Sequence, residues 1–174
     1  MNWISNGMDN LIIFCAKYLI FFIPVILVII LTLLKGKTRW QFASAVILAG
    51  VTAVIFSKIA GALYSHPRPF ISQHTVPLVS YAGDNNSFPS DHTLLATTLA
   101  TAVYFYRRRV GILLLGLAVV VGIGRVLAHV HWAIDILGGL ILGAVAGFIG
   151  YQLARKLLPV NNQTPKPKNP EPHT

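Results

Sequence analysis

The stretch RVLAHVHWAID, residues 125–135, places four ionisable side chains between two strongly apolar runs. Ionisable groups in such surroundings are costly, so they seldom persist without a partner or a task. His131 and Asp135 are four residues apart, so on a helix they would share one face. The carboxylate could then fix the imidazole tautomer and make the free ring nitrogen more nucleophilic. His129 is six residues from Asp135 and would point elsewhere, which makes His131 the better candidate nucleophile.

A second group of residues has the types that hold a phosphate. Lys58, Arg68 and Arg125 are three cations with few neighbouring anions, and arginine adds forked, bidentate donors. Ser90 follows a proline and opens a helix, so its hydroxyl could cap that helix or bind an anion beside the free backbone N–H groups. His92, on a different helix from His131, could protonate a leaving oxygen as a general acid. Together these residues predict an anion pocket.

Each residue also has an ordinary structural interpretation. A serine after proline is usually a helix cap, an Arg-Pro pair is usually a turn, and a lone histidine near a membrane interface is usually a satisfied polar group. We therefore expect no chemistry from His66, His74 or His173, and only a supporting hydrogen bond from His129. Asp84 is expected to be a solvated loop residue. The occurrence of all the candidate residues in one chain favours a functional site over a set of unrelated structural roles.

The composition identifies the environment that must position these residues. The chain has 174 residues, of which 55% are hydrophobic and 11% charged, far from the roughly 25% charged residues of soluble domains. Since a transmembrane helix needs roughly 20 apolar residues, the length allows about five or six crossings and no separate soluble domain. The single cysteine, Cys15, excludes an internal disulfide. The sequence therefore predicts an integral membrane protein.

The expected fold is all-α, a polytopic membrane helix bundle with about five transmembrane helices and an N-terminal interfacial helix. Residues 1–17 mix apolar with polar residues, which favours an amphipathic interfacial helix; the alternative is one continuous first span from 11 to 34. Residues 1–159 should form a single integral membrane domain, and 160–174, rich in proline, asparagine and lysine, a disordered cytoplasmic tail. The predicted spans are about 18–34, 41–64, 92–106, 110–128 and 133–155.

Two further features bear on the arrangement of the helices. The 92–106 segment is short and begins directly after a polar segment, so we expect it to start inside the protein, away from lipid. Gly139, Gly143 and Gly147 form a smooth stripe on the last helix that would allow close helix packing.

Orientation follows from the basic residues. In a five-helix layout, ten of the fourteen lysines and arginines lie on one side, which should be cytoplasmic. The candidate site residues lie at the opposite, external side. Membrane topology accounts for most of the positive charge, so no nucleic-acid partner is needed. The ten residues are Lys35, Lys37, Arg39, Arg107, Arg108, Arg109, Arg155, Lys156, Lys166 and Lys168.

In combination these motifs resemble the type 2 phosphatidic acid phosphatase superfamily. Its signature is a lysine, six residues and Arg-Pro, then Pro-Ser-Gly-His, then Ser-Arg, five residues, His, three residues and Asp. This sequence has Arg68-Pro69, Pro-Ser-Asp-His at 89–92, and Gly-Arg at 124–125 followed by His131 and Asp135 at the family spacing. Within that superfamily, SFPSDHT, RPF and HxxxDILGG most resemble the undecaprenyl pyrophosphate phosphatases of the bacitracin-resistance type.

The resemblance implies removal of the terminal phosphate from undecaprenyl pyrophosphate, a polyprenyl lipid, at the outer face of the bacterial cytoplasmic membrane, which recycles the carrier lipid for cell-wall synthesis. The expected chemistry is a two-step phosphoryl transfer. His131 attacks to form a phosphohistidine, Asp135 orients it, and His92 protonates the leaving group. The cations already neutralise the transferring group, so no metal or other cofactor is expected. The residues expected at the phosphate are Arg68, Arg125, Ser90, Lys58 and Asp91.

Three positions depart from the family pattern. The family's lysine falls at Gly61, and Lys58 lies three residues earlier, close to one helical turn. Asp91 replaces a glycine, which is tolerable beside a phosphate only if the carboxylate turns away or lies against the positive helix start. Gly124 replaces a serine and so removes a hydroxyl.

Three other functions fit parts of the sequence. The phosphate site does not read the lipid tail, so the substrate could be another lipid phosphate, such as phosphatidylglycerophosphate or phosphatidic acid. A transporter or proton channel could use Arg125, His131 and Asp135 as a relay, but these groups cluster at one end and no inverted repeat is visible. A haem-binding bundle could use His92 and His131 as axial ligands, but the three cations would then have no purpose.

Overall fold

A computed structural model of the chain describes residues 3–80 and 85–160; Asp84, His173 and the expected tail from residue 161 onward lie outside this part. The described residues are mainly helical and contain no β-strand beyond one isolated bridge between Pro67 and Asn86. The all-α prediction is confirmed. The helices are α1 Trp3–Ile13, α2 Phe22–Leu33, α3 Gly36–Leu63, α4 Pro69–Ser72, α5 Asp91–Tyr104, α6 Arg108–Leu127 and α7 Ala133–Leu157.

Four helical stretches are long and apolar enough to cross a membrane. Three of them, α3, α6 and α7, match predicted spans to within a few residues. The chain is therefore a multi-pass membrane protein. The four stretches are Asn6–Leu33, Gly36–Leu63, Arg108–Leu127 and Ala133–Leu157.

The turn between α2 and α3 is tight, and Gly36 has a φ of 56° there, a backbone conformation that residues other than glycine rarely adopt.

The N-terminal region agrees with the alternative of one continuous first span. A π-helical turn, Phe14–Tyr18, and a 3₁₀ turn, Leu19–Phe21, join α1 to α2 without a non-helical break. The long apolar helical stretch includes Asn6–Leu33, so it starts before either predicted span. Ala16 is fully buried in a cluster with Ala128 and Val130, so this stretch packs against the loop between α6 and α7.

The central helix is α5, and nine of its fourteen residues are buried. This burial confirms that the short 92–106 segment lies within the protein. The glycine stripe of α7 faces α5: a Cβ added at Gly143 would lie 2.6 Å from the Leu94 carbonyl oxygen, and one at Gly147 would lie 2.6 Å from the Thr98 carbonyl oxygen. The stripe therefore has the packing role that the spacing predicted.

The bundle has two chemically different ends. We call the end formed by residues 64–90 and 128–132 the site end, because these loops carry or flank the candidate residues. We call the opposite end, formed by residues 34–35, 105–107 and 158–160, the basic end. The helix α6 connects them, with Arg109 at its basic end and Arg125 at its site end.

Candidate functional site

His131 and Asp135 are adjacent, although the reason differs from the one predicted. His131 Nδ1 lies 3.3 Å from Asp135 Oδ2, yet α7 begins at Ala133, so His131 is not helical and the two residues do not share a helix face. Asp135 is in the first turn of α7, and its Oδ2 accepts a hydrogen bond from the Trp132 backbone N–H at 2.7 Å. This capping interaction turns the carboxylate back toward the loop that carries His131.

The surroundings of His131 define its tautomer. Nδ1 faces two acceptors, the Ser87 carbonyl oxygen at 3.0 Å and Asp135 Oδ2. The Ser87 hydroxyl also donates to Asp135 Oδ2, so this oxygen accepts from three groups. Since Nδ1 meets only acceptors that a ring N–H can satisfy, the proton belongs on Nδ1 and the lone pair on Nε2. The free nitrogen is therefore the one that points away from the carboxylate.

Arg68 lies against that free nitrogen. It precedes the short helix α4 and is held in an extended conformation by the two flanking prolines, Pro67 and Pro69. Its Nη1 donates to the Val130 carbonyl oxygen at 2.9 Å and lies 3.2 Å from His131 Nε2. Its side chain is only 4% exposed. A desolvated guanidinium thus stands beside the candidate nucleophile, where a transferring phosphoryl group would carry its charge.

Arg125 and His92 complete the cluster. Arg125, in the last turn of α6, is 5% exposed and its Nη1 donates to the Ala16 carbonyl oxygen at 3.4 Å. His92, the second residue of α5, lies within electrostatic range of both Arg125 and His131. Burial lowers the pKa of His131 below its usual range, and the charges of Arg125 and Arg68 lower it further, outweighing Asp135. His131 is consequently neutral, as a nucleophile must be.

Ser90 and Asp91 occupy the start of α5. Ser90 is fully buried, but its hydroxyl makes no capping bond; it accepts instead from the Thr93 hydroxyl at 3.2 Å. The capping alternative for Ser90 is therefore wrong. Its backbone N–H donates to the Asp135 carbonyl oxygen at 3.2 Å, which joins the starts of α5 and α7. Asp91 turns toward α3, where the Ser57 hydroxyl donates to its Oδ1 at 2.6 Å. The carboxylate therefore has a hydroxyl partner beside Lys58, but it does not turn away from the candidate residues.

The structure shows why glycine occupies the position of the family lysine and how Lys58 can replace that lysine. A cavity of about 220 Å³ has Lys58, Gly61, Arg68, Asn86 and Asp91 in its lining. Asn86 Nδ2 donates to the Gly61 carbonyl oxygen at 3.0 Å, and a Cβ at position 61 would lie 3.1 Å from the same nitrogen. Asn86 thus occupies the space beside position 61, while Lys58, one turn earlier, reaches the same cavity as Arg68.

The sequence did not identify Ser87 and His66 as site residues. His66, for which we expected no role, has its Nε2 3.2 Å from Asp135 Oδ1, so each carboxylate oxygen contacts an imidazole. Both residues come from the loop region before α5, and their partner is at least 48 positions away in sequence. No spacing rule connects such distant positions. Asn86, which binds the backbone of both Gly61 and Phe88, was also not identified.

His129 and Gly124 have structural positions at the edge of the cluster. His129 is exposed and has a φ of 59°, and its carbonyl oxygen accepts from the Phe70 backbone N–H at 3.2 Å. It contributes a turn. At Gly124, a Cβ would lie 2.8 Å from the Ala16 backbone nitrogen and 2.9 Å from Cys15 Cβ. The glycine in place of the family serine therefore allows the N-terminal segment to pack against α6.

A neutral imidazole, oriented by a carboxylate and flanked by buried arginines inside a membrane bundle, is typical of an enzyme that transfers a charged group. Comparison with known proteins identifies the family. The sequence model of the PAP2 superfamily, a protein family, matches residues 38–159 of this chain. The chain belongs to that superfamily and is a multi-pass membrane phosphatase.

Individual relatives agree with this assignment. The bacitracin transport permease protein BcrC of Bacillus licheniformis is 33% identical over 150 residues, which cover 86% of this chain and 73% of the relative. The undecaprenyl-diphosphatase BcrC of Bacillus subtilis is 29% identical over 158 residues, 89% of this chain and 79% of the relative. The crystal structure of Aquifex aeolicus LpxE has a TM-score of 0.62 at 23% identity, covering 83% of this chain and 86% of that one. This last likeness concerns the fold.

Proposed function

We propose that the protein hydrolyses undecaprenyl diphosphate to undecaprenyl phosphate and inorganic phosphate. The observation that carries the proposal is the position of His131, with Nδ1 on Asp135 and Nε2 3.2 Å from the guanidinium of Arg68. Curated relatives named for undecaprenyl diphosphate hydrolysis support the choice of substrate.

The proposed reaction has two steps. In the first, His131 Nε2 attacks the terminal phosphorus and the bond to the bridging oxygen breaks. His92 gives its proton to the departing lipid phosphate; burial and the charge of Arg125 lower its pKa to about 4, and the negative charge of a bound diphosphate raises it. In the second, His92 takes a proton from water, which displaces the phosphate from the phosphohistidine. Asp135 stabilises the positive charge that His131 carries between the steps. Arg68, Arg125 and Lys58 neutralise the negative charge of the phosphoryl oxygens. The Ser90 hydroxyl and the first-turn N–H groups of α5 donate hydrogen bonds to the same oxygens.

An apolar cavity beside the polar cavity of Lys58 and Arg68 could hold the lipid part of the substrate. A second cavity of about 250 Å³ lies between α3 and α5, and its lining includes the apolar residues Val54, Leu94 and Leu95. Ser57, Lys58 and Asp91 line both this cavity and the polar one, so the two are contiguous. We propose that the prenyl chain lies in the apolar cavity with its diphosphate at Lys58. Asp91 lines both cavities, and the Ser57 hydroxyl donates to its carboxylate.

We further propose that the protein lies in the bacterial cytoplasmic membrane with the site end facing outward. The support is the distribution of charge: the exposed lysines and arginines of the basic end are those expected on the cytoplasmic side. In this orientation the enzyme would regenerate the carrier lipid phosphate for cell-wall synthesis.

The test is phosphate release by the purified protein from a panel of lipids. Undecaprenyl diphosphate should be the preferred substrate by kcat/KM, and the rate should be unchanged in the presence of a chelator. Preference for phosphatidylglycerophosphate or phosphatidic acid would assign the same chemistry to another lipid. A rate that disappears with the chelator would contradict the metal-free mechanism.

A further inference from the structure

A large cavity lies at the basic end, away from the proposed active site. It has a volume of about 550 Å³, within the range of small-molecule sites, and lies where α3, α7 and the connection between α5 and α6 meet. Its lining is largely polar. The polar side chains are Thr38, Gln41, Tyr106, Tyr151 and Arg155.

The polar side chains of this cavity are held in place by one another. Gln41 is only 7% exposed, and its Nε2 donates to the Leu158 carbonyl oxygen at 2.7 Å. The Tyr106 hydroxyl donates to Gln41 Oε1 at 3.4 Å. Phe105 stacks on Tyr151 with ring centroids 4.1 Å apart, and the Arg155 guanidinium lies 5.5 Å from the centroid of the same Tyr151 ring. Arg155 is exposed, and its guanidinium packs against an aromatic ring that lines the cavity.

The charge around this cavity favours an anion. Of the acidic residues in the described part of the chain, Asp91 and Asp135 lie at the site end and Asp9 lies on α1. None of them lines the cavity. Burial raises the pKa of Tyr106 to about 12, so its hydroxyl stays neutral and does not repel an anion. The described cations of the basic end are Lys35, Lys37, Arg39, Arg107, Arg108, Arg109, Arg155 and Lys156.

An apolar cavity adjoins the polar one. It has a volume of about 310 Å³ and is lined by Trp40, Leu157, Leu158 and Pro159, together with Lys37. Pro159 lines both cavities. Trp40 is 68% exposed, a position typical of tryptophans at the headgroup level of a bilayer. A polar cavity with an arginine therefore continues into an apolar surface at the membrane boundary.

We propose that this paired cavity binds an anionic phospholipid of the adjacent leaflet, with its phosphate at Arg155 and its acyl chain along Trp40 and Leu157. Basic pockets between transmembrane helices on the cytoplasmic side commonly bind anionic headgroups. Free phosphate has the same charged group but would use only the polar half of the site. The adjoining apolar half favours the lipid.

The test compares two neighbouring residues that carry the same charge. Both side chains are exposed, but Arg155 lines the cavity and Lys156 does not. Purified full-length protein in detergent is titrated with phosphatidylglycerol, and binding is followed by native mass spectrometry and by the thermal unfolding midpoint. Arg155→Gln should weaken binding about tenfold, the effect of one lost charge-assisted hydrogen bond, while Lys156→Gln should match the wild type.

Three results would overturn the proposal: equal weakening by both substitutions, equal binding of phosphatidylcholine, or an equal stabilising effect of inorganic phosphate alone. If Arg155→Gln does not fold, Trp40→Ala provides a second test on the exposed apolar half. It should weaken binding of long-chain phosphatidylglycerol but not of a short-chain analogue, and no difference between the two lipids would count against the site. None of these measurements uses phosphatase activity, so they are independent of the proposed reaction.

Discussion

Both ends of the bundle carry positive charge, but the arginines are buried at the site end and exposed at the basic end. At the site end, Arg68 and Arg125 are 4% and 5% exposed and donate hydrogen bonds to backbone carbonyl groups. At the basic end, Arg107, Arg108 and Arg109 are exposed. A buried cation loses hydration that only partners or a bound anion can replace, whereas an exposed one loses little. We propose that the buried charges serve the reaction and that the exposed charges set topology.

The ends also differ in how their loops are joined. At the site end, one carboxylate, Asp135, connects residues from three segments through His66, Ser87 and His131. At the basic end, a single amide, Gln41, connects α3 to the end of α7 and to Tyr106. The site end is thus the part of the protein where a single substitution should have the largest effect on function.

The largest expected effect is on the proposed nucleophile at the site end. His131→Ala should reduce phosphate release by more than about a thousandfold, because no other group would form the phosphoenzyme. His129→Asn is the matched control, since His129 is exposed and asparagine tolerates its positive φ. It should retain near-normal turnover. Substantial turnover by His131→Ala in a phosphate-release assay would refute the assignment.

A second prediction compares the two ends of one helix. Arg125→Gln should lower kcat/KM by about a hundredfold, since removal of one preorganised donor from a charge-stabilising site has effects of that size. Arg109→Gln removes the same charge from the exposed end of α6 and should change kcat/KM by less than about twofold. Similar losses from both substitutions would show that overall positive charge, and not the buried site, drives catalysis.

A third prediction concerns a residue that only the structure identified. Ser87→Ala removes a hydroxyl that donates to Asp135, so the carboxylate would hold the His131 ring less firmly. We expect kcat to fall about tenfold, the usual cost of a hydrogen bond to a charged group, with KM little changed. Ser87→Thr should restore most of the rate in steady-state kinetics. A change confined to KM would argue for contact with substrate instead.

The smallest expected effect is a displacement of the pH profile. The attacking imidazole must be neutral, so activity is present above the pKa of His131 and is lost as the pH falls through it. Because burial and two arginines lower that pKa from its ordinary value of 6.5, the acid limb of kcat/KM should lie below pH 6.5. Arg125→Gln removes one of these charges and should move the limb to higher pH. A wild-type acid limb above pH 6.5 would contradict a lowered pKa for His131.

Much of this architecture was predictable because a membrane helix requires a long run of apolar residues, which is visible in the sequence. Three of the long apolar stretches gave α3, α6 and α7 nearly to their ends, and the polar start of the 92–106 segment indicated that α5 is internal. The N-terminal boundary was harder to predict. Residues 14–21 are helical with non-standard hydrogen bonding, which changes neither apolar content nor charge, so composition left the continuous span as one of two alternatives.

The site was predictable only where its members follow a motif. Spacing and residue type predicted Arg68, Arg125 and His131 together, and the structure places them near one another. Ser87 and His66 were not, since a loop contact between distant positions has no periodicity. The His131–Asp135 pair shows the limit most clearly: four-residue spacing predicted proximity, but the proximity comes from a carboxylate that caps α7, not from a shared helix face.

The most direct test of the proposed mechanism is to trap the phosphoenzyme. Purified protein is mixed with undecaprenyl diphosphate labelled in the terminal phosphate, quenched under alkaline conditions within one turnover, digested and examined by mass spectrometry. The mechanism predicts label on His131, lost on acid treatment and missing from His131→Ala. Label on another residue, or full turnover with no labelled protein at any time point, would contradict it.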